Sequence, residues 1–194
     1  MDQDAVLDEF RAAEALLEGH FKLSSGLHSS VYLQCARVLM DPARADRLCA
    51  AFADKLKASG VEVDLVVSPA MGGVVVGYEV ARQLGVDGIF CERVDGAFVF
   101  RRGFEVPVGA KVLMMEDVIT TGLSSRECIK TINECGGNVV AAGCLINRSG
   151  GKADVGAPIT ALATIDAPTY AADELPAELE AIPAVKPGSR GLKA

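Results

Sequence analysis

Between residues 4 and 18, Val6, Leu7, Phe10, Ala13, Leu16 and Leu17 recur at three- and four-residue intervals. That is the apolar stripe of one helix, with Gly19 as its stop. The polar stretch SSGLHSS (24–30) reads as a turn, and VYLQC (31–35) reads as a short strand. Asp41-Pro42 supplies a capping side chain and a first-turn proline, which predicts a second helix to about Ala58 ahead of Gly60. Beyond it the period switches repeatedly. VDLVVS is a buried strand backed by Pro69, and GGVVVGYEVARQLG is helical despite its valines. GIFCER is a strand, and Ala97–Arg101 is one arm of a hairpin. AKVLMME is the most strand-like run. A helix over 123–135 ends at Gly136-Gly137, followed by the strands NVVAAGCLINR and ITALATID.

Strands that alternate with helices of about twelve residues predict an α/β fold, a doubly wound and mostly parallel sheet flanked by helices. Such sheets bind ligands at the carboxyl ends of their strands, which is where Ser68, Glu116, Asp117 and Arg148 fall. No repeat or linker interrupts the order, so residues 1–194 are expected to form a single domain. From Ala167 the chain is rich in Pro, Ala and Glu and reads as a tail wrapped over that domain with a frayed end.

Composition narrows the chemistry. Half of the 194 residues are hydrophobic, yet no run reaches the roughly 18 apolar residues of a membrane span. The start, MDQDAVLDEF, is acidic where a signal peptide is basic, so a soluble, cytoplasmic protein is expected, with no membrane partner. The cysteines at 35, 49, 91, 128, 135 and 144 form no CxxC pair and lie in apolar or periodic stretches, which predicts reduced core thiols. A net charge of −7 argues against a nucleic-acid partner and makes the local cluster Arg93, Arg101 and Arg102 conspicuous.

The most informative stretch is VLMMEDVITTGLSS (112–125). A strand that runs through TTGLSS into a helix presents successive N–H groups and hydroxyls at a positive helix end, a cradle for phosphate. Glu116 and Asp117 alone would repel that phosphate. They suit a ligand that carries sugar hydroxyls a few ångströms from it, or a centre that develops positive charge. A phosphorylated ribose meets both conditions. GGVVVG (72–77) has Walker A glycine spacing, but Tyr78 and Glu79 stand where Lys and Ser/Thr are required, so ATP is not implied.

EDVITTG resembles the phosphoribosyl pyrophosphate (PRPP) motif of type I phosphoribosyltransferases. HFKLSSGLHSSVYLQC, VVSPAMGGVVVG, CERVDGAFVFRRGF and the closing KPGSR are similar, in the same order, to the orotate phosphoribosyltransferase family, over about residues 19–190. The resemblance implies a small N-terminal hood from about residues 1–40, joined by the C-terminal tail, over a core of about 41–166. It implies that Glu116 and Asp117 hold the ribose hydroxyls, that Thr120, Thr121, Gly122, Leu123 and Ser124 hold the 5′-phosphate, and that Val118 and Ile119 belong to the same PRPP-binding stretch. It sets Met71, Gly72, Gly73 and Arg93 on the pyrophosphate and makes Arg101 and Arg102 the cations of a catalytic arm hinged at Gly96 and Gly103. Orotate falls to Thr120, Arg148, Ser24, Ser25, Gly26 and Tyr32. Mg²⁺ is implied as a chelate of PRPP rather than on protein ligands, and a homodimer with shared sites is implied as the assembly.

The chain departs from the better-known bacterial pattern at several places. It lacks that pattern's Lys and His in the arm, carries Met71-Gly72 in place of a Lys-bearing turn, and has Ser24 where a Lys is common. Leu123 replaces a glycine, and ELPAELEAIP lacks a cysteine pair. Two rival readings share parts of the pattern. A purine phosphoribosyltransferase would share EDVITTG without calling for Arg148 and a hood, and a PRPP-sensing transcription regulator would need a basic segment that the first 18 residues do not offer.

Overall fold

The computed structural model describes residues 1–23 and 26–186. Its chain order begins with α1 (Gln3–Ala12), β1 (Leu16–Lys22), β2 (His28–Leu33), α2 (Cys35–Leu39) and α3 (Pro42–Ala58). It continues through β3 (Leu65–Pro69), α4 (Gly72–Leu84), β4 (Asp87–Val94), β5 (Ala97–Phe100), β6 (Lys111–Ile119) and α5 (Leu123–Glu134). The last elements are β7 (Asn138–Asn147), β8 (Ile159–Thr164), β9 (Thr169–Tyr170) and α6 (Ala177–Glu180). Six strands make the main sheet in the order β5-β4-β3-β6-β7-β8, parallel throughout except for the β4–β5 hairpin. A second sheet, β1-β2-β9, is antiparallel.

Both faces of the main sheet are covered, so its inner strands carry apolar residues at every position rather than at alternate ones. Val66, Leu113, Met115 and Leu145 face a core shared with Phe10, Leu48, Phe52, Val76 and Val80 of α1, α3 and α4. Their neighbours Val67, Met114 and Cys144 point the other way, onto Cys128 and Ile132 of α5. Asp41 caps α3 by accepting from the Ala43 backbone N–H, with Pro42 in the first turn, so that helix matches its predicted limits.

The N-terminal reading needs correction. α1 stops at Ala12 and Glu14 turns the chain at φ 50°, so Leu16 and Leu17 leave the helix for β1. Their helical spacing loses to a ladder with β2, which pairs Leu16 with Leu33 and Leu17 with Tyr32. Gly19 is no helix stop. At φ 152° it lies within an interruption of register between Glu18 and Phe21, the mark of a bulge. β2 begins at His28, earlier than predicted, which buries His28 and Ser29, and Cys35 starts the unpredicted α2 rather than ending a strand. The tail does fold back: Thr169 pairs with Ser29, and Val185 exchanges backbone hydrogen bonds of 2.8 Å with His20 and Lys22. The frayed end and all of KPGSR beyond Lys186 lie outside the described residues. Five cysteines are buried thiols as expected, whereas Cys135, at the end of α5, is exposed.

Close approach between α4 and β3 depends on glycine. A Cβ on Gly77 would stand 1.8 Å from Ser68 Oγ and 2.9 Å from Ser68 Cβ. Rotating Ser68 relieves the first clash but not the second, so the helix must back away from the sheet. Gly77→Ala should therefore destabilise the protein. The ~1 kcal/mol gained in helix propensity is outweighed by an overpacking cost of about 1–3 kcal/mol. A lower urea midpoint checks this, and an unchanged or raised one contradicts it.

Candidate active site

β6 runs between two parallel neighbours and delivers Glu116 and Asp117 to the level where α4 and α5 begin. Glu116 is 8% exposed and accepts a short hydrogen bond from the Ser125 hydroxyl, with Ser124 as a further donor. Burial, reinforced by the neighbouring Asp117 carboxylate, raises the Glu116 carboxyl to about 7 against the restraint of those hydroxyls. Asp117 is raised too, by burial first, although the Val118 backbone N–H donates to its Oδ1 at 2.8 Å and the Cys35 thiol also bonds it. Both carboxyls are held above their ordinary range, Glu116 buried and Asp117 half-buried, and a polar or cationic partner beside them favours their charged forms.

On one side of this pair lies the turn Ser68–Gly73, where the chain passes a cis Ala70–Met71 peptide into α4. Met71 is exposed, and a Cβ on Gly72 would sit 3.2 Å from both Asp117 carboxylate oxygens. The absence of a side chain there lets the N-terminus of α4 and the carboxylate share one wall. On the other side, Thr120 and Thr121 are exposed and lead to Gly122, whose φ of 74° is open to glycine and whose Cβ would meet Val155 at 2.7 Å. Leu123 is the first residue of α5 and keeps negative φ, so its replacement of glycine introduces no left-handed residue. Thr121 Oγ1 accepts from the Leu123 N–H at 3.4 Å. Arg126, which the sequence reading did not single out, braces the loop by donating to the backbone oxygens of Thr121 and Asp154. Its only sequence signal was a cation one turn into the helix.

Thr120, Thr121 and Arg148 line one cavity of about 250 Å³ together with Ser149, Lys152, Asp166 and the tail segment Ala167–Thr169. Arg148 Nη2 donates to Ser29 Oγ at 2.8 Å, whereas its buried Nε has no partner among the described residues. Burial pulls its guanidinium below the ordinary arginine value. Lys152 and Asp166 pair at 3.2 Å at the same cavity, and neither was predicted because their loops are distant in sequence.

Not every predicted residue joins this arrangement. Ile119 is fully buried and its carbonyl is taken by the Arg148 N–H at 2.8 Å. Tyr32 stacks on Phe21 at 5.8 Å, and neither it nor Gly26 lines the cavity. Ser24 and Ser25 lie outside the described residues. Arg93 pairs with Glu127 of α5, donates to the Gly96 carbonyl at 2.6 Å and stacks over Phe98 at 4.2 Å. Arg101 and Arg102 are exposed at the end of the β4–β5 hairpin, and Arg102 pairs with Glu92 at 2.9 Å.

Carboxylates at a central strand end, flanked by one glycine turn and one Thr/Gly/Ser loop at helix starts, define a phosphoribosyltransferase. The model of the phosphoribosyl transferase domain family matches residues 37–174, and the chain belongs to that family. Its similarity is to orotate phosphoribosyltransferases in particular. That of Caulobacter vibrioides is 60% identical over 193 residues, 100% of both chains. That of Rhizorhabdus wittichii is 62% identical over 194 residues, covering 98% of this chain and 97% of that one. The solved orotate phosphoribosyltransferase of Aeropyrum pernix, 23% identical, shares the fold with a TM-score of 0.68 over 82% of this chain and 93% of that one.

The Glu116 shift has a measurable consequence. With a folded pKa near 7 against an ordinary 4.5, the proton favours the folded chain, so this group's contribution is fully present below about 4.5 and is lost as pH rises through about 7. Glu116→Gln removes that dependence. In urea titrations without ligand, the variant should gain on the parent between pH 4.5 and 8 by up to about 3 kcal/mol. Parallel stability curves would contradict the assignment.

Proposed function

We propose that the chain is a cytoplasmic enzyme that transfers the 5-phosphoribosyl group of PRPP to orotate, yielding orotidine 5′-monophosphate and pyrophosphate in pyrimidine nucleotide synthesis. The observation that carries the choice of base is Arg148, a half-buried cation with an unused donor, in one cavity with the threonines that open the phosphate loop. A flat ring bearing a carboxylate answers that cation, whereas a purine base has no carboxylate to offer it.

In this reading Glu116 and Asp117 accept hydrogen bonds from the ribose hydroxyls, and residues 120–124 with the start of α5 hold the 5′-phosphate. The turn at Met71, Gly72 and Gly73 holds the pyrophosphate. As the bond to pyrophosphate lengthens, positive charge develops on the ribosyl carbon beside Asp117, and that carboxylate stabilises the transition state more than the bound substrate. Arg101 and Arg102 cover the departing diphosphate and exclude water. Among the described residues no group of three or more His, Cys, Asp and Glu side chains is arranged to hold a metal. In this reading Mg²⁺ arrives as the PRPP chelate, since this ion keeps phosphate and water ligands and needs few carboxylates. When bound, it neutralises charge on the leaving group.

The arm also supports a homodimer with shared sites. β5 lies three positions from β6 in the main sheet, a separation of roughly 14 Å at the usual strand spacing. Arg101 and Arg102 thus reach out from the sheet edge, where they suit a neighbouring subunit's site.

Assays with PRPP against orotate, uracil, adenine, guanine and hypoxanthine test the reading. Turnover is expected with orotate, and turnover with a purine alone would overturn it. Asp117→Asn should fold and bind orotate but lose about 10²-fold in kcat, and near-normal turnover would remove Asp117 from its role. Inactive Arg101→Ala/Arg102→Ala subunits, mixed and re-annealed with Asp117→Asn subunits, should regain activity because each heterodimer holds one intact composite site. No regain, or a monomer by sedimentation, would exclude the shared arrangement.

A further inference from the structure

We infer that Ser29 is a positioning residue for base recognition: its hydroxyl holds the Arg148 guanidinium and the tail wall of the cavity in one fixed spacing before the base binds. The inference rests on the orotate reading above and adds to it a residue that itself touches no substrate. Ser29 is fully buried on β2 and is not among the cavity's lining residues, so any influence on the base must pass through its neighbours.

A serine hydroxyl has one proton to give and two lone pairs to fill. Here all three are used. Oγ accepts from Arg148 Nη2 at 2.8 Å and from the Val31 backbone N–H at 3.2 Å, and donates to the Pro168 carbonyl at 3.3 Å. The rotor is therefore set by three elements at once: the end of β7, the second hood strand, and the tail. Pro168 and Thr169 line the cavity together with Thr120 and Thr121, and Thr169 is the register partner of Ser29 across the β2–β9 ladder. One buried hydroxyl thereby fixes both the cation and the wall facing it.

This geometry explains why a long side chain at the end of a strand serves as a selective anchor. Arg148 would otherwise sample many rotamers, and a base that had to order it would bind more weakly. Ser29 occupies one terminal nitrogen, while the buried Nε has no partner among the described residues. The guanidinium is held by one edge, with donor capacity left over for a carboxylate. Nothing comparable links Ser29 to Glu116, Asp117 or the 120–124 loop, so its influence should be confined to the base.

The test compares steady-state constants of the full chain with those of Ser29→Ala and of Ser29→Cys, which nearly keeps the volume but replaces the hydroxyl by a poor acceptor. Each variant should raise the orotate KM roughly tenfold and leave the PRPP KM within about twofold. In an Arg148→Ala background, Ser29→Ala should add a clearly smaller rise than it causes in the parent, because only its hold on the tail wall is left to lose. Additive effects, equal shifts in both KM values, a change in kcat alone, no change, or failure of both variants to fold would each overturn the inference. A parent protein that does not use orotate at all would instead overturn the functional reading, so the two failures are distinguishable.

Discussion

Glu116 and Asp117 leave β6 where strands on both sides and two helix starts bury the first and half-bury the second, and the burial that raises their pKa values governs what surrounds them. A carboxylate without solvent must find donors, and each element packed on this strand end supplies some. Ser125 and Ser124 come from α5, the Val118 N–H from the strand itself, and the Cys35 thiol from α2. Gly72 contributes by having no side chain 3.2 Å from Asp117. The positive ends of α4 and α5 face the same region, so partial positive charge lies beside an otherwise costly pair of acids.

The second constraint is closure. The main sheet provides the carboxylates and the phosphate loop, but the cavity beside them acquires a wall only when the tail returns over the hood. β9 pairs with β2, Val185 is tied to His20 and Lys22, and the His20 and His28 rings meet at 2.6 Å while His20 also bonds the Ile182 carbonyl. All of these but the His20–His28 contact span more than a hundred residues of sequence. Their effect on the site is local: they bring Pro168 and Thr169 to Ser29, and Ser29 to Arg148. By contrast, the arm is tied within its own vicinity, Arg93 to Glu127 and Arg102 to Glu92, leaving its tip exposed at the sheet edge.

Elements whose signal is local were legible in the sequence. Asp41-Pro42 specified α3, the unbroken apolar runs specified β3, β6 and β7, and EDVITTGLSS specified a strand end with two acids running through a glycine turn into a helix, because capping, burial on both faces and turn chemistry act within about ten residues. Tertiary structure decided the rest. Leu16 and Leu17 fit a helical stripe equally well, and only the presence of β2 as a partner made them a strand. Likewise no spacing rule marks Ser29, Lys152 or Asp166, since each gains its role from a residue more than ten positions away. Sequence alone determined most of the chemistry of the central strand end, whose donors Ser124, Ser125 and the Val118 N–H are its own neighbours. The chain's return over β1 and β2 determined the cavity at Arg148, because its walls come from segments far apart in sequence that only the fold brings together.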